Sequence, residues 1–261
     1  MPDRVVVNLS WKCNLGNCPY CWLKYIAQSE SVLQVTSDRS ADEWVEALNR
    51  LDPAILDFAG GEPLIFPGFI DLLTQLDPKH RYAITTNLHG EALRDILRIP
   101  TGNCVHVTAS YQPTGRLDPD EFMFRLDTLR LKGISCSINL VNHESFPNVQ
   151  DVAQLFRSKG FTVSVSPYEH PPNLEVPNDV TFLCQAGIRH YFLNSNGDVY
   201  PCCSWFRYSG REQRNMGNIF NGSFRKYSTP QTCRLRCEMY YLEPHGKDMI
   251  PELQIRNIKE L

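Results

Sequence analysis

Val5-Val6-Val7-Asn8-Leu9-Ser10-Trp11-Lys12-Cys13-Asn14-Leu15-Gly16-Asn17-Cys18-Pro19-Tyr20-Cys21-Trp22 is a short apolar run followed at once by three cysteines within nine residues. A β-branched run of that length reads as a strand, which puts the cysteines on the loop that leaves it. Three thiolates so close together are the donor set of a metal site. A tetrahedral zinc needs a fourth ligand from elsewhere, whereas a cubane iron-sulfur cluster can rest on three cysteines and leave one iron open for chemistry.

The strand is the first of six. Residues 5–10, 55–58, 82–86, 105–110, 135–141 and 162–166 are short β-branched runs, and amphipathic stretches separate them. Ser40-Ala41-Asp42-Glu43 reads as a capping box ahead of Trp44, Val45, Leu48 and Leu51, whose spacing lays one apolar stripe along a helix. Residues 67–76, 91–99, 119–132 and 149–159 read as the next four helices, and Gly133 and Gly160 follow two of them as C-terminal caps. A helix between each consecutive pair of strands predicts an α/β fold, a partial (β/α)6 TIM-like barrel.

Prolines break the pattern from Glu169 to Pro177, and after them the texture changes. Five of the ten cysteines fall in residues 181–240, around a hairpin signal at Asn196-Gly197. The expected division is therefore 1–172 for the barrel and 173–261 for a small cysteine-rich α+β domain.

At 261 residues and 42% hydrophobic, the chain can bury a substantial core. A formal charge of -3 gives no strong pull toward nucleic acid or anionic membranes, so neither is an expected partner. The N-terminal apolar run is too short for a signal peptide, and no segment approaches the length of a membrane span. The expected location is cytoplasmic, where ten cysteines argue for metal ligation or core thiols rather than a disulfide framework. Cys104 and Cys136, beside predicted strands, read as buried core thiols.

In a parallel sheet the working loops lie at the carboxyl ends of the strands. The cysteine loop follows the first strand and Ala59-Gly60-Gly61-Glu62-Pro63 follows the second, so both face one mouth. Gly60 and Gly61 permit close backbone approach to a ligand, and Glu62 adds a carboxylate suited to an amino group.

Taken together, these residues resemble the radical S-adenosylmethionine superfamily, along essentially the whole chain. The resemblance implies that Cys13, Cys18 and Cys21 hold a four-iron four-sulfur cluster, that Tyr20 lies near the adenine, and that the turn from Gly60 through Gly61 and Glu62 to Pro63 binds the methionyl amino group. It extends to Thr85, Thr86 and Asn87 after the third strand, Ser110 after the fourth, Asn139 in the fifth, and Ser166-Pro167-Tyr168 at the sixth. The family's usual spacing is three residues then two; here it is four then two, with Gly16-Asn17 in the longer gap. The chemistry implied is one-electron cleavage of S-adenosylmethionine to a 5'-deoxyadenosyl radical that removes a hydrogen atom from an unactivated carbon.

Cys184, Gly197, Cys202, Cys233 and Cys237 resemble the auxiliary-cluster extensions called SPASM and twitch domains. Four ligands, Cys184, Cys202, Cys233 and Cys237, imply one auxiliary Fe-S cluster of the shorter, twitch type, with a zinc ribbon on the same thiolates as the alternative. Adjacent cysteines point in different directions, which makes Cys203 a bystander.

The function expected is oxidation or bond formation, with the auxiliary cluster accepting an electron from the substrate. The substrate expected is a small polar metabolite, sugar-like or aminocyclitol-like, or a peptide. Peptide maturation by thioether or carbon-carbon cross-linking or epimerisation is one alternative, and a non-catalytic zinc protein is another. A flavodoxin or ferredoxin would supply electrons. Among the histidines, His170 is the one nearest a substrate by position, although a satisfied surface histidine is the more ordinary reading of it, and Arg116 reads either as a clamp for a carboxylate or phosphate or as a solvated side chain.

Overall fold

The computed structural model describes residues 3–15, 18–21, 39–89, 92–113, 117–168, 182–203, 206 and 214–233. The proline-rich stretch at 169–177, Arg116, His170 and Cys237 lie outside the described residues.

Six parallel strands form in the expected places: β1 (Asp3–Asn8), β2 (Ala54–Ala59), β3 (Arg81–Thr86), β4 (Cys104–Ser110), β5 (Cys136–Asn142) and β6 (Val163–Pro167). Helices α1 (Ala41–Asn49), α2 (Phe69–Gln75), α3 (Ala92–Arg98), α4 (Pro119–Leu131) and α5 (Val149–Ser158) alternate with them. Each strand pairs with its sequence neighbour, giving the order β6-β5-β4-β3-β2-β1. This is the partial TIM-like barrel.

Local chemistry sets the helix ends. The Ser40 hydroxyl accepts from Glu43 N–H at 3.2 Å, and the Glu43 carboxylate accepts from Ser40 N–H at 2.9 Å, closing the capping box of α1. Asp118 caps α4 through Asp120 N–H at 2.8 Å, with Pro119 in the first turn where no N–H is needed. Gly133 and Gly160 follow α4 and α5 at φ +80°, a region that costs glycine little.

One face of the sheet carries the main core. Val5, Val7, Leu56, Phe58, Tyr82, Ile84, Val107, Ala109, Ile138 and Leu140 pack under Trp44, Leu72, Phe122, Leu126 and Phe156 from the helices. Period-two alternation therefore sends Arg4, Val6 and Asn8 of β1, and Asn139 of β5, to the opposite face. Cys104 and Cys136 are half-buried at the rim of the core, not inside it. Burial still pushes their thiols up, Cys104 to about 11 and Cys136, which also feels Cys104, to about 12.

Beyond these six strands lie β7 (Phe182–Cys184), β8 (His190–Leu193), β9 (Val199–Tyr200) and β10 (Gln231–Cys233). The expected hairpin forms: β8 and β9 are antiparallel, and the turn between them holds Gly197 at φ +85°. The same hairpin continues the barrel sheet, because β8 pairs in parallel with β1, Arg4 opposite His190 and Val7 opposite Leu193. An apolar β1 left at an edge would present unpaired N–H and C=O groups, and β8 satisfies them. Lys226 adds a second tie, bonding Asp3 and Asp52 at the amino ends of β1 and β2. No helix among the described residues is long and apolar enough to cross a membrane.

His190 stands beside Arg4, which bonds Asp57. Both imidazole nitrogens are buried without partners. Burial, and then the charge of Arg4, pushes the His190 pKa down to about 4. The folded protein thus binds this proton less readily than the unfolded chain, whose histidine titrates near ~6.5. The stabilisation is complete above that pH and is lost as pH falls toward 4, by an amount of about 3 kcal/mol. Urea denaturation from pH 7 to pH 4 is expected to show a His190→Leu variant losing less stability than wild type by that amount; parallel curves would refute the assignment.

Candidate functional site

The cysteine loop and the glycine turn are joined by backbone. Gly61 N–H donates to Ser10 C=O at 3.0 Å, and Glu62 N–H donates to Lys12 C=O at 2.9 Å. The fit leaves no room for side chains: a Cβ on Gly61 would lie 1.8 Å from the Lys12 carbonyl oxygen, and one on Gly60 would lie 1.8 Å from Asn8 Oδ1. Gly60 also has φ +114°, in the left-handed region. The close approach expected of these glycines is made to the cysteine loop itself.

Glu62 is 2% exposed and ties this junction to β3. Its Oε1 accepts from the Thr86 hydroxyl at 2.7 Å and from Leu64 N–H at 3.1 Å, and its Oε2 accepts from Asn87 N–H at 2.7 Å. Burial raises the carboxyl pKa, opposed by these donors. Of the roughly four acceptor positions on a carboxylate, three are in use, so the group acts here as a brace. Pro63 follows at the first position of a single 3-10 turn, where its missing N–H costs nothing.

The brace reaches the first cysteine. Asn87 Nδ2 donates to Asn14 Oδ1 at 2.8 Å and approaches Cys13 Sγ at 3.7 Å, while Asn14 Nδ2 donates to His89 C=O at 3.1 Å. Thus Glu62, Thr86, Asn87, Asn14 and Cys13 form one network. Asn139 centres a second, its Oδ1 accepting from Ser164 at 3.0 Å and from Ser166 at 2.8 Å, with Ser110 opposite Asn139 in register.

Tyr20 stands on the cysteine loop between Cys18 and Cys21. Its hydroxyl donates to Gln112 Oε1, and its ring is 5.5 Å from His143, which meets Tyr168 edge-on at 4.6 Å. Burial, then the neighbouring Cys18 and Cys21, holds the Tyr20 phenol well above its usual range, so it remains a neutral donor. Asn8, Asn14 and His143 were not among the expected site residues. Each is the last residue of a strand or follows closely after one, and applying the carboxyl-end rule to every strand would have found them.

Cys13 and Cys21 are half-buried and Cys18 is buried. Among the described residues no three His, Cys, Asp or Glu side chains form a group that could hold a metal ion. As a donor set the three cysteines suit a three-thiolate cluster, with the Cys21 N–H to Cys18 C=O turn at 3.1 Å already bringing two of them onto one bend. Under the glycine turn, the Asn8 amide is fully buried with neither polar atom paired, which leaves hydrogen-bonding capacity at the junction.

In the C-terminal segment, Cys184 ends β7 and its sulfur accepts from Ala186 N–H at 3.4 Å. β10 runs antiparallel to β7, so the backbone of Cys233 lies opposite Phe182 while Gln231 lies opposite Cys184. Cys202 follows β9, and Cys203 packs against Phe192, Tyr200 and Phe206. Met216 and Gly217 hydrogen-bond to Val199, and Asn218 bridges to Asp198, which binds the 216–220 stretch to the hairpin.

Residues 184–244 match SPASM, an iron-sulfur cluster-binding domain. Among solved structures, anSMEcpe with bound AdoMet superposes with a TM-score of 0.57 at 17% identity, covering 85% of this chain and 76% of that one. Native anSMEcpe with AdoMet and the Kp18Cys peptide gives 0.57 and 17%, covering 85% and 79%. BtrN in complex with AdoMet and 2-DOIA is 19% identical over 85% of this chain and 80% of its own, with a TM-score of 0.42. No curated protein matches the sequence.

The barrel thus shares the fold of anSMEcpe, and the C-terminal segment is similar to an iron-sulfur cluster-binding domain.

Proposed function

We propose that this chain is a radical S-adenosylmethionine enzyme that oxidises, or forms a bond in, a small polar substrate or a peptide. The observation that carries the reading is the pair of backbone hydrogen bonds fixing the Gly60–Gly61–Glu62 turn to the loop of Cys13, Cys18 and Cys21. The bound cluster and S-adenosylmethionine would supply a 5'-deoxyadenosyl radical able to abstract a hydrogen atom.

The protein's own residues hold and orient. Cys13, Cys18 and Cys21 are the proposed ligands of the first cluster, and Cys184, Cys202, Cys233 and Cys237 those of the auxiliary cluster, which would take an electron from the substrate. Gly60, Gly61 and Pro63 shape the turn that receives the methionyl end, and Glu62, through Thr86 and Asn87, fixes its distance from β3. Tyr20 is assigned to the adenine side. Ser110, Asn139 and Ser166 form a polar wall suited to hydroxyl or amide groups. The division into 1–172 and 173–261 is one of function, since the sheet runs through both. A flavodoxin or ferredoxin is the proposed electron donor.

The test is anaerobic turnover with S-adenosylmethionine and dithionite. 5'-Deoxyadenosine is expected from the wild type, and deuterium should appear in it when the true substrate is supplied deuterated. Panels of amino-polyols and of short peptides separate the two substrate classes. A chain purified with zinc, without acid-labile sulfide and without 5'-deoxyadenosine release, would overturn the reading in favour of a structural zinc protein.

A further inference from the structure

Trp11 stands two residues before Cys13, and its ring belongs to a second apolar cluster separate from the main core. The indole stacks on Phe206 with centroids 5.4 Å apart and planes 11° from parallel, and it meets Phe192 at 6.4 Å. Its Nε1–H donates to Asn194 Oδ1 at 3.1 Å, and Asn194 is 1% exposed in the turn after β8. Phe206 in turn touches Phe192 at 5.0 Å and Tyr200 at 5.1 Å.

Two connections make this more than ordinary packing. Phe206 N–H donates to Cys202 C=O at 3.2 Å, which sets the stacked ring one turn from a proposed auxiliary-cluster ligand, and Cys203 packs into the same cluster. On the other side, Trp11 backbone is pressed against the glycine turn, since a Cβ on Gly61 would come within 2.8 Å of its carbonyl carbon. One residue is thus gripped by the glycine turn through its backbone and by the matched segment through its ring. Close-packed interiors transmit displacement instead of absorbing it, so a shift at either cysteine site must move the other.

We infer that Trp11 is a positioning residue that couples the two cysteine sites, setting the geometry of the C-terminal cluster from the N-terminal loop. The inference rests on the proposed function for the identity of both clusters.

The test uses the full chain, anaerobically reconstituted, in a Cys13→Ala, Cys18→Ala, Cys21→Ala background that leaves only the C-terminal ligands. Trp11→Ala is expected to change the electron paramagnetic resonance lineshape of the remaining cluster and to speed its loss to a chelator by about tenfold, the lower range for losing a supporting residue. Trp11→Phe, which keeps a ring without the N–H, should recover part of both effects. Trp11→Leu carries the same expectation as alanine should the alanine variant fail to fold. Spectra and chelation rates equal to those of the parent background would overturn the coupling. A wild-type chain that holds no iron overturns the proposed function instead, so the two failures are distinguishable.

Discussion

Alanine at position 61 is expected to destabilise the protein by about 3 kcal/mol and to lower its melting temperature by about 10 °C. Its Cβ would sit 1.8 Å from the Lys12 carbonyl oxygen and 2.5 Å from the Lys12 carbonyl carbon, both backbone atoms, so no side chain can swing aside to make room. Relief requires the two loops to part, which breaks the Gly61 N–H to Ser10 and Glu62 N–H to Lys12 bonds. The damage therefore falls on the Cys13 loop, and iron uptake at that site should fall with stability. Gly102→Ala is the control, because nothing lies within 4 Å of the added methyl. Equal melting temperatures for the two variants would show that the loops are not locked together.

Cys18→Ala is expected to have the largest effect on chemistry. It removes the buried member of three thiols, and two thiolates from this loop would not complete the ligation of the proposed three-thiolate cluster. Iron bound per chain should fall to the content of the C-terminal site alone, and 5'-deoxyadenosine release should drop below detection while the fold, measured by circular dichroism, persists. Fold persistence is expected because Cys18 lies outside the main core that packs β1 against the helices. Retention of full iron and of cleavage activity would remove Cys18 from the ligand set.

The barrel was legible because its information is local. Strand periodicity, the Ser40–Glu43 capping box and the glycines after α4 and α5 each act within a few residues, and each element formed within about three residues of its expected ends. The cysteine loop was legible for the same reason. What could not be read was pairing at long range: nothing in Val5-Val6-Val7 specifies that Tyr191, Phe192 and Leu193 will lie beside it. Partner choice in a parallel sheet is a property of the whole packing, not of the strand.

The site shows the same division. Gly60, Gly61 and Glu62 were recognisable as a turn at the mouth, yet the sequence could not say that the glycines make room for Asn8 and Lys12, or that Glu62 would be occupied by Thr86, Asn87 and Leu64. Trp11 and Asn194, bonded across 183 positions, are an ordinary aromatic and an ordinary turn residue until the fold brings them together.

The central claim is that three loop thiolates hold a cluster with one iron open to S-adenosylmethionine. Electron paramagnetic resonance of the dithionite-reduced, reconstituted chain, recorded without and with S-adenosylmethionine, tests it most directly. A reduced-cluster signal that changes shape on addition, and that is lost in Cys18→Ala, is the predicted result; a signal indifferent to S-adenosylmethionine and to that substitution would contradict it.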